Sequence, residues 1–195
     1  MIESHQELAL KEKHLLSRAL GDRWQSVSGD DMAEFGLAWR SVVVHCAHLV
    51  LEISLQMTPL NLAGSVDDYP QLHVRQLTGP STGRPSQLRT YFHGAGQSIN
   101  QVWIARERIT ARRAIGENFQ NVSDIAIAFG LDDTWLGFIR ASHLSDVFFV
   151  RQAMSRDELA LPDAGREWDI SLLDEFDFSH EWQPILPSDA THSET

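Results

Sequence analysis

Cysteine is nearly absent from this chain: Cys46 is the only one among 195 residues, so no disulfide can form within the chain. A secretory signal peptide is also absent, because no basic segment with an adjoining apolar run opens the sequence. The most apolar stretch runs from residue 42 to residue 55, and it is shorter than the ~20 apolar residues that span a bilayer. These absences predict a cytoplasmic protein with no membrane partner.

Motifs for catalysis and for cofactor binding are missing as well. The chain has no phosphate-binding loop, no dinucleotide-binding fingerprint and no nucleophile elbow. His45 and His48 are one helical turn apart, but no cysteine or carboxylate motif of the zinc type accompanies them. Cys46 lies among apolar residues, where packing is more common than nucleophilic chemistry. The sequence therefore predicts a protein that is not an enzyme and holds neither a cofactor nor a metal.

What the chain does contain is an uneven distribution of charge. The net charge is −11, which argues against general binding to nucleic acids. Residues 84–113, however, hold six arginines and one glutamate, a local charge of +5. Residues 157–195 hold eleven acidic residues against Arg166 alone. We therefore expect a basic middle segment and an acidic C-terminal tail.

Two helices are predicted in the N-terminal region, residues 1–60. Over residues 3–20, leucines recur among Glu and Lys in an amphipathic pattern that stops at Gly21. Asp30 can cap a second, longer helix from Met32 to Met57. The apolar side chains of that helix form a broad stripe, which is typical of a core or dimer helix. The region is therefore a candidate for homodimerisation.

The middle segment contains a first predicted helix-turn-helix unit, RPSQLRTYFHGAGQS. Pro85 fits the first turn of its helix, and Gly94 and Gly96 end that helix. An arginine-rich helix, ARERITARRAI, follows it. The polar side chains that these two helices turn outward are candidate contacts for DNA phosphates and base edges. They are Ser86, Arg89, Thr90, Arg106, Arg112 and Arg113.

A second unit is predicted in NVSDIAIAFGLDDTWLGFIRA. Ser123 can cap its first helix, the apolar residues that follow form a buried stripe, and Gly130 provides the turn. Its second helix starts near Asp133. That helix presents three further candidate DNA contacts, which are Thr134, Trp135 and Arg140.

The two units resemble the DNA-binding domain of the AraC/XylS family of bacterial transcription regulators. The resemblance rests on RPSQLRTYF, GQS, ARR and NVSDIAIAFG followed by FIRA, with Gly96 and Gly130 separated by 34 positions (130 − 96). It implies a sequence-specific transcriptional regulator that binds double-stranded DNA. The helices at residues 86–92 and 133–140 would enter successive major grooves.

The sequence thus predicts a mainly α-helical protein in three parts. A helical N-terminal region, residues 1–60, precedes a double helix-turn-helix domain at residues 72–150. An irregular acidic tail, residues 157–195, follows that domain.

Two other functions stay open. The tail segment DEFDFSHEW interleaves aromatic and acidic residues, a composition typical of a docking segment for a basic protein partner. In that case the chain would be an antagonist of its partner. The cluster YFHGAGQS, which contains His93, would instead suit an NAD-using ADP-ribosyltransferase-like enzyme, with Glu107 or Glu117 as the catalytic acid.

Overall fold

Twelve β-strands and one α-helix make up the described part of the chain in its computed structural model. That part comprises residues 2–30, 37–38, 40–62, 65–78, 88–91, 93–112, 118–142, 145–163 and 175–187. In chain order the elements are β1 Ile2–Gln6, α1 Leu10–Ser17, β2 Trp24–Asp30, β3 Leu37–Ala38, β4 Ser41–Cys46, β5 Val50–Leu62, β6 Ser65–Gln76, β7 Leu88–Tyr91, β8 Gln101–Arg112, β9 Phe119–Gly130, β10 Trp135–Arg140, β11 Phe148–Ala153 and β12 Glu175–Pro184.

The strands form a large sheet and a small sheet. The order in the large sheet is β12-β8-β9-β10-β11-β3, and β1 runs parallel to the first half of β9. The order in the small sheet is β6-β5-β4-β2-β7, and all its neighbouring strands are antiparallel. Strand β6 of the small sheet contacts β9 of the large one.

An aromatic cluster joins the two sheets in the core. Trp24 comes from β2, whereas Phe129 and Phe138 come from β9 and β10. All three are completely buried. The Trp24 ring centroid lies 5.6 Å from that of Phe129 and 6.4 Å from that of Phe138, and the two phenylalanines meet edge to face at 5.9 Å. Such contacts stabilise beyond the area that they bury.

The predicted mainly α-helical fold is wrong. The segment assigned to a long helix, residues 32–57, contains β4 and much of β5. In β5 the side chains of Leu51, Ile53 and Leu55 are buried, while those between them are more exposed. This period of two is the pattern of a strand with one buried face. The β-branched residues in the segment favour the strand conformation as well.

Both predicted helix-turn-helix units are wrong for the same reason. Strand β7 lies in the first unit, β8 covers most of the arginine-rich helix, and β9 and β10 make up the second unit. Eleven of the twelve residues of β9 are buried, and Gln120 is half-buried, so its apolar run belongs to a central strand covered on both faces. Over the twelve residues of β9, the apolar stripe of a helix and a fully buried strand have similar sequences. Gly94 and Gly96 lie in a turn and both have positive φ, but that turn follows strand β7 instead of ending a helix.

The acidic tail also differs from its prediction. Residues 175–184 are not irregular, because they form β12, which pairs with β8 along ten residues. The three predicted parts therefore contribute to one sheet: β1 belongs to the N-terminal region, β8 to the middle and β12 to the tail.

The first predicted helix is present over a shorter range than residues 3–20. It occupies Leu10–Ser17, after β1. The chain then turns at Gly21, which has a φ of +80° and whose N–H donates to Ile99 O at 2.8 Å. No helix in the described residues is long and apolar enough to cross a membrane.

Candidate functional site

A row of polar side chains crosses the large sheet where β1 joins it. The strand register places Gln6, Ser123, Glu107 and His180 side by side on β1, β9, β8 and β12. Directly paired residues on neighbouring strands project from the same face of a sheet. We call these four residues the polar row. Its first three members are at most 3 % exposed.

Arg140, at the end of β10, supplies a positive charge beside the polar row. Its Nη2 donates a hydrogen bond to Glu107 Oε1 at 3.1 Å, and its Nη1 donates to Pro70 O, in β6, at 3.2 Å. The Arg140 and Glu107 side chains are both 1 % exposed. This buried ion pair therefore also connects the large sheet to the small one.

His180 binds the second oxygen of the same carboxylate. Its Nε2 donates to Glu107 Oε2 at 3.0 Å, and its side chain is 19 % exposed. Glu107 thus accepts hydrogen bonds from the deeply buried Arg140 on β10 and from His180 on the edge strand β12. Since His180 lies on edge strand β12, it is the member of the polar row that reaches solvent.

The other end of the polar row contains polar atoms without a partner. Both amide atoms of Gln6, both amide atoms of Asn121 and the Ser123 hydroxyl make no hydrogen bond within the described residues. Asn121 is 1 % exposed and lies two residues before Ser123 on β9. A buried polar group without a partner costs about 1–3 kcal/mol. Five such atoms on adjacent strands call for polar partners, which a buried water or a bound polar molecule can supply.

Asp124 fixes the chain where β1 ends, next to this site. Its Oδ2 accepts a hydrogen bond from Leu8 N at 2.7 Å, and its Oδ1 accepts one from Arg106 Nε at 2.9 Å. Arg106 Nη1 also lies 2.6 Å from Glu7 Oε1. A register shift between Ala105 and Arg106 lies at the same place, and such a bulge changes the direction of the side chains that follow it.

The site suits binding better than covalent chemistry. The charges of Glu107 and Arg140 compensate each other, and both groups are engaged in hydrogen bonds. Cys46 belongs to the apolar core, where burial and the negative charge of Asp22 raise the pKa of its thiol to about 12. At neutral pH it is therefore a packed thiol and not a nucleophilic thiolate.

The predicted DNA contacts are spread over both sheets. Arg89 and Thr90 lie on β7, at the edge of the small sheet. Arg106 is bound to Asp124, and Arg112 lies on β8 with its Nη1 3.0 Å from Glu175 Oε2. Ser86 and Arg113 lie outside the residues that the structure describes.

The remaining three predicted contacts surround β10 and the turn before it. Thr134 is buried and its hydroxyl donates to Ala153 O at 3.0 Å. Trp135 is half-buried and packs on an apolar cluster. Arg140 is buried in the ion pair with Glu107. The structure therefore presents no helix with these side chains to a DNA groove.

The residues proposed for an NAD site are also separated. His93 is exposed in the turn after β7, whereas Glu107 is buried and bound by Arg140 and His180. Glu117 lies outside the described residues. Glu107 and Arg140 were predicted in other roles, whereas Gln6, Asn121, Ser123 and His180 were not predicted as site residues. The alternation of polar and apolar residues in NVS, residues 121–123, was the available indication.

His45 and His48 have separate hydrogen-bonding partners. His45 Nε2 lies 3.1 Å from the Ser28 hydroxyl, whereas His48 Nδ1 lies 3.1 Å from Asp22 Oδ1. Burial acts to raise the pKa of Asp22, but the backbone hydrogen bonds from Arg23 and His48, the His48 side-chain hydrogen bond and the His48 charge together lower it. No group of three or more metal-ligating side chains occurs in the part of the chain that is described.

We expect His45 to make stability depend on pH in the mildly acidic range. Burial lowers the pKa of its imidazole, so the unfolded chain binds the proton more readily than the folded one. The free energy of unfolding should therefore fall as pH decreases below about 6.5, the ordinary value for histidine. Urea unfolding at pH 7.5 and 5.5 measures this fall. It should be smaller in His45→Gln, and equal falls in both proteins would contradict the assignment.

Comparisons of the chain with known protein families, curated proteins and solved structures find no match. They do not bear on the resemblance to the AraC/XylS family. The helix-turn-helix fold that the resemblance implied is nevertheless incompatible with the observed strands. The functional assignment therefore depends on the geometry of the polar row and its neighbours.

Proposed function

We propose that this protein binds a small, uncharged, polar molecule at Gln6, Asn121 and Ser123, beside the Glu107–Arg140 pair, without transforming it. The observation that carries the proposal is the set of five buried polar atoms that have no partner in the described residues. The proposed function is thus ligand binding inside a β-sheet protein.

The chemistry of these side chains defines the class of ligand. Each primary amide offers two N–H donors and one carbonyl acceptor, and the hydroxyl can donate and accept. Amides, ureas, polyols and pyrimidine bases complement such a set. A charged ligand is disfavoured, because Glu107 and Arg140 already compensate each other and a further buried charge would lose its hydration without a counterion.

A thermal-shift panel tests the proposal. Urea, acetamide, glycerol, glucose, nicotinamide and uracil are the probes, and at least one should raise the unfolding temperature in a saturable way. Asn121→Leu should abolish that shift. Asn100→Leu is the matched control, since Asn100 is exposed and lies before β8. An equal shift in wild type and Asn121→Leu, or no shift with any probe of these classes, would overturn the proposal.

A second candidate function is an acidic interaction surface for a basic protein. The exposed residues of β12 include Glu175, Asp177 and Glu181, and no strand in the described residues pairs with the outer edge of β12. An extended segment with alternating arginines would fit this edge by strand addition. This modifies the docking-segment hypothesis, because β12 is an ordered strand rather than a free tail.

An alternating arginine–threonine peptide tests the second candidate. It should bind the wild-type protein, and the double variant Glu175→Lys/Asp177→Lys should weaken binding more than the single variants Asp132→Lys and Asp133→Lys, in the turn before β10, do together. Equal weakening would show general charge attraction instead of strand pairing.

A further inference from the structure

A cleft separates helix α1 from the β5–β6 hairpin. Its volume is about 490 Å³, and it is half open to solvent. Residues of α1 line one side, and residues of β5 and β6 line the other. The apolar Leu15 and Val74 also line it. The cleft is separate from the polar row, with which it shares no residue.

Basic side chains are concentrated in this cleft. Lys11, His14, His73 and Arg75 all line it. The sequence has only two lysines, Lys11 and Lys13, and α1 contains both. The protein has a net charge of −11, so this concave surface differs in composition from the chain as a whole. A concave surface also focuses the electrostatic field that an anion experiences.

The acidic residues at the cleft are already engaged in the fold. Glu12 is 6 % exposed, and its carboxylate accepts hydrogen bonds from Ala9 N at 2.7 Å, Val74 N at 3.0 Å and His73 Nδ1 at 3.1 Å. These bonds cap α1 and hold it against β6. Glu12 is therefore a structural anchor, because its two carboxylate oxygens are occupied by hydrogen bonds within the fold.

The cationic groups remain accessible. Lys11 is exposed and makes neither a hydrogen bond nor an ion pair within the described part of the chain. Arg75 binds Glu52 through Nε, and its side chain is still 69 % exposed. An ammonium group and a planar guanidinium group on facing walls are the donors that proteins use for phosphate groups.

We infer that this cleft binds a phosphate group of a small soluble molecule, through Lys11 on α1 and Arg75 on β6. His14 and His73 complete a basic lining. The inference is independent of the proposed function, because it uses other residues and an anionic ligand.

Inorganic phosphate and pyrophosphate, titrated at constant ionic strength and followed by NMR or calorimetry, test the inference. Both should bind saturably. Lys11→Ala should weaken pyrophosphate binding roughly tenfold, as expected for the loss of one charge-assisted hydrogen bond. Arg75→Gln should weaken it to a similar extent. Lys13→Ala is the matched control, since it removes the same charge from the same helix but does not line the cleft.

Three results would overturn the inference. Equal weakening in Lys11→Ala and Lys13→Ala would show attraction to the helix as a whole. If neither anion binds at ~10 mM, the dissociation constant is higher than a specific phosphate site would have, and the site is excluded. Binding to vesicles with anionic lipids, without binding to either free anion, would assign the basic groups to a membrane surface. Lys11 is exposed, so circular dichroism of Lys11→Ala should match wild type.

Discussion

Arg140→Ala is expected to lower the free energy of unfolding by about 3–5 kcal/mol, the typical cost of removing one partner from a buried ion pair. The substitution leaves the Glu107 carboxylate 1 % exposed without its cation. It also removes the hydrogen bond to Pro70 O, which links the two sheets. Equilibrium unfolding in urea, monitored by tryptophan fluorescence, measures the loss.

Arg112→Ala is the matched control for this prediction. Arg112 also pairs with a glutamate, Glu175, but the two side chains are 60 % and 66 % exposed. Exposed pairs contribute only about 0–1 kcal/mol. The double variant Glu107→Leu/Arg140→Met should recover part of the stability that Arg140→Ala loses, because no buried charge remains unpaired. Equal losses in Arg140→Ala and Arg112→Ala would contradict the buried ion pair.

Phe138→Ala should destabilise the protein by about 3–5 kcal/mol, because it opens a cavity in a close-packed core. The Phe138 ring contacts both Trp24 and Phe129, so its removal weakens packing within the large sheet and between the sheets. Denaturant unfolding provides the measurement. Phe149→Ala, at a half-buried position on β11, should cost clearly less, and a similar cost at both positions would be inconsistent with this core.

Part of the fold could be predicted from the sequence. The helix at α1 depends on a local pattern and was predicted, although over a longer range. Gly94 and Gly96 both have positive φ, but the element before them is strand β7 and not the helix that they were predicted to end. The strands β4 and β9 could not be distinguished from helices by apolar spacing, because consecutive apolar residues satisfy both periods, whereas β5 has the alternation of a strand over residues 51–57. The β-branched residues in these segments favour strands.

Little of the candidate site could be predicted in this way. Glu107 and His180 are 73 residues apart, and only the pairing of β8 with β12 brings them together. Gln6 reaches Ser123 through the parallel pairing of β1 with β9. Burial of Arg140 also depends on the contact between the sheets. No local pattern reveals these long-range pairings. Arg140, in a segment that was predicted to be helical, was therefore predicted to face solvent and contact DNA.

The free energy of unfolding of Asn121→Leu, measured on refolded protein freed of small molecules, tests most directly whether the buried amides serve a ligand. If they do, the apolar side chain removes two unpaired polar atoms, and the variant should be more stable than wild type by about 1 kcal/mol or more. A loss of about 1 kcal/mol or more would show that the amide stabilises the fold, which contradicts the account.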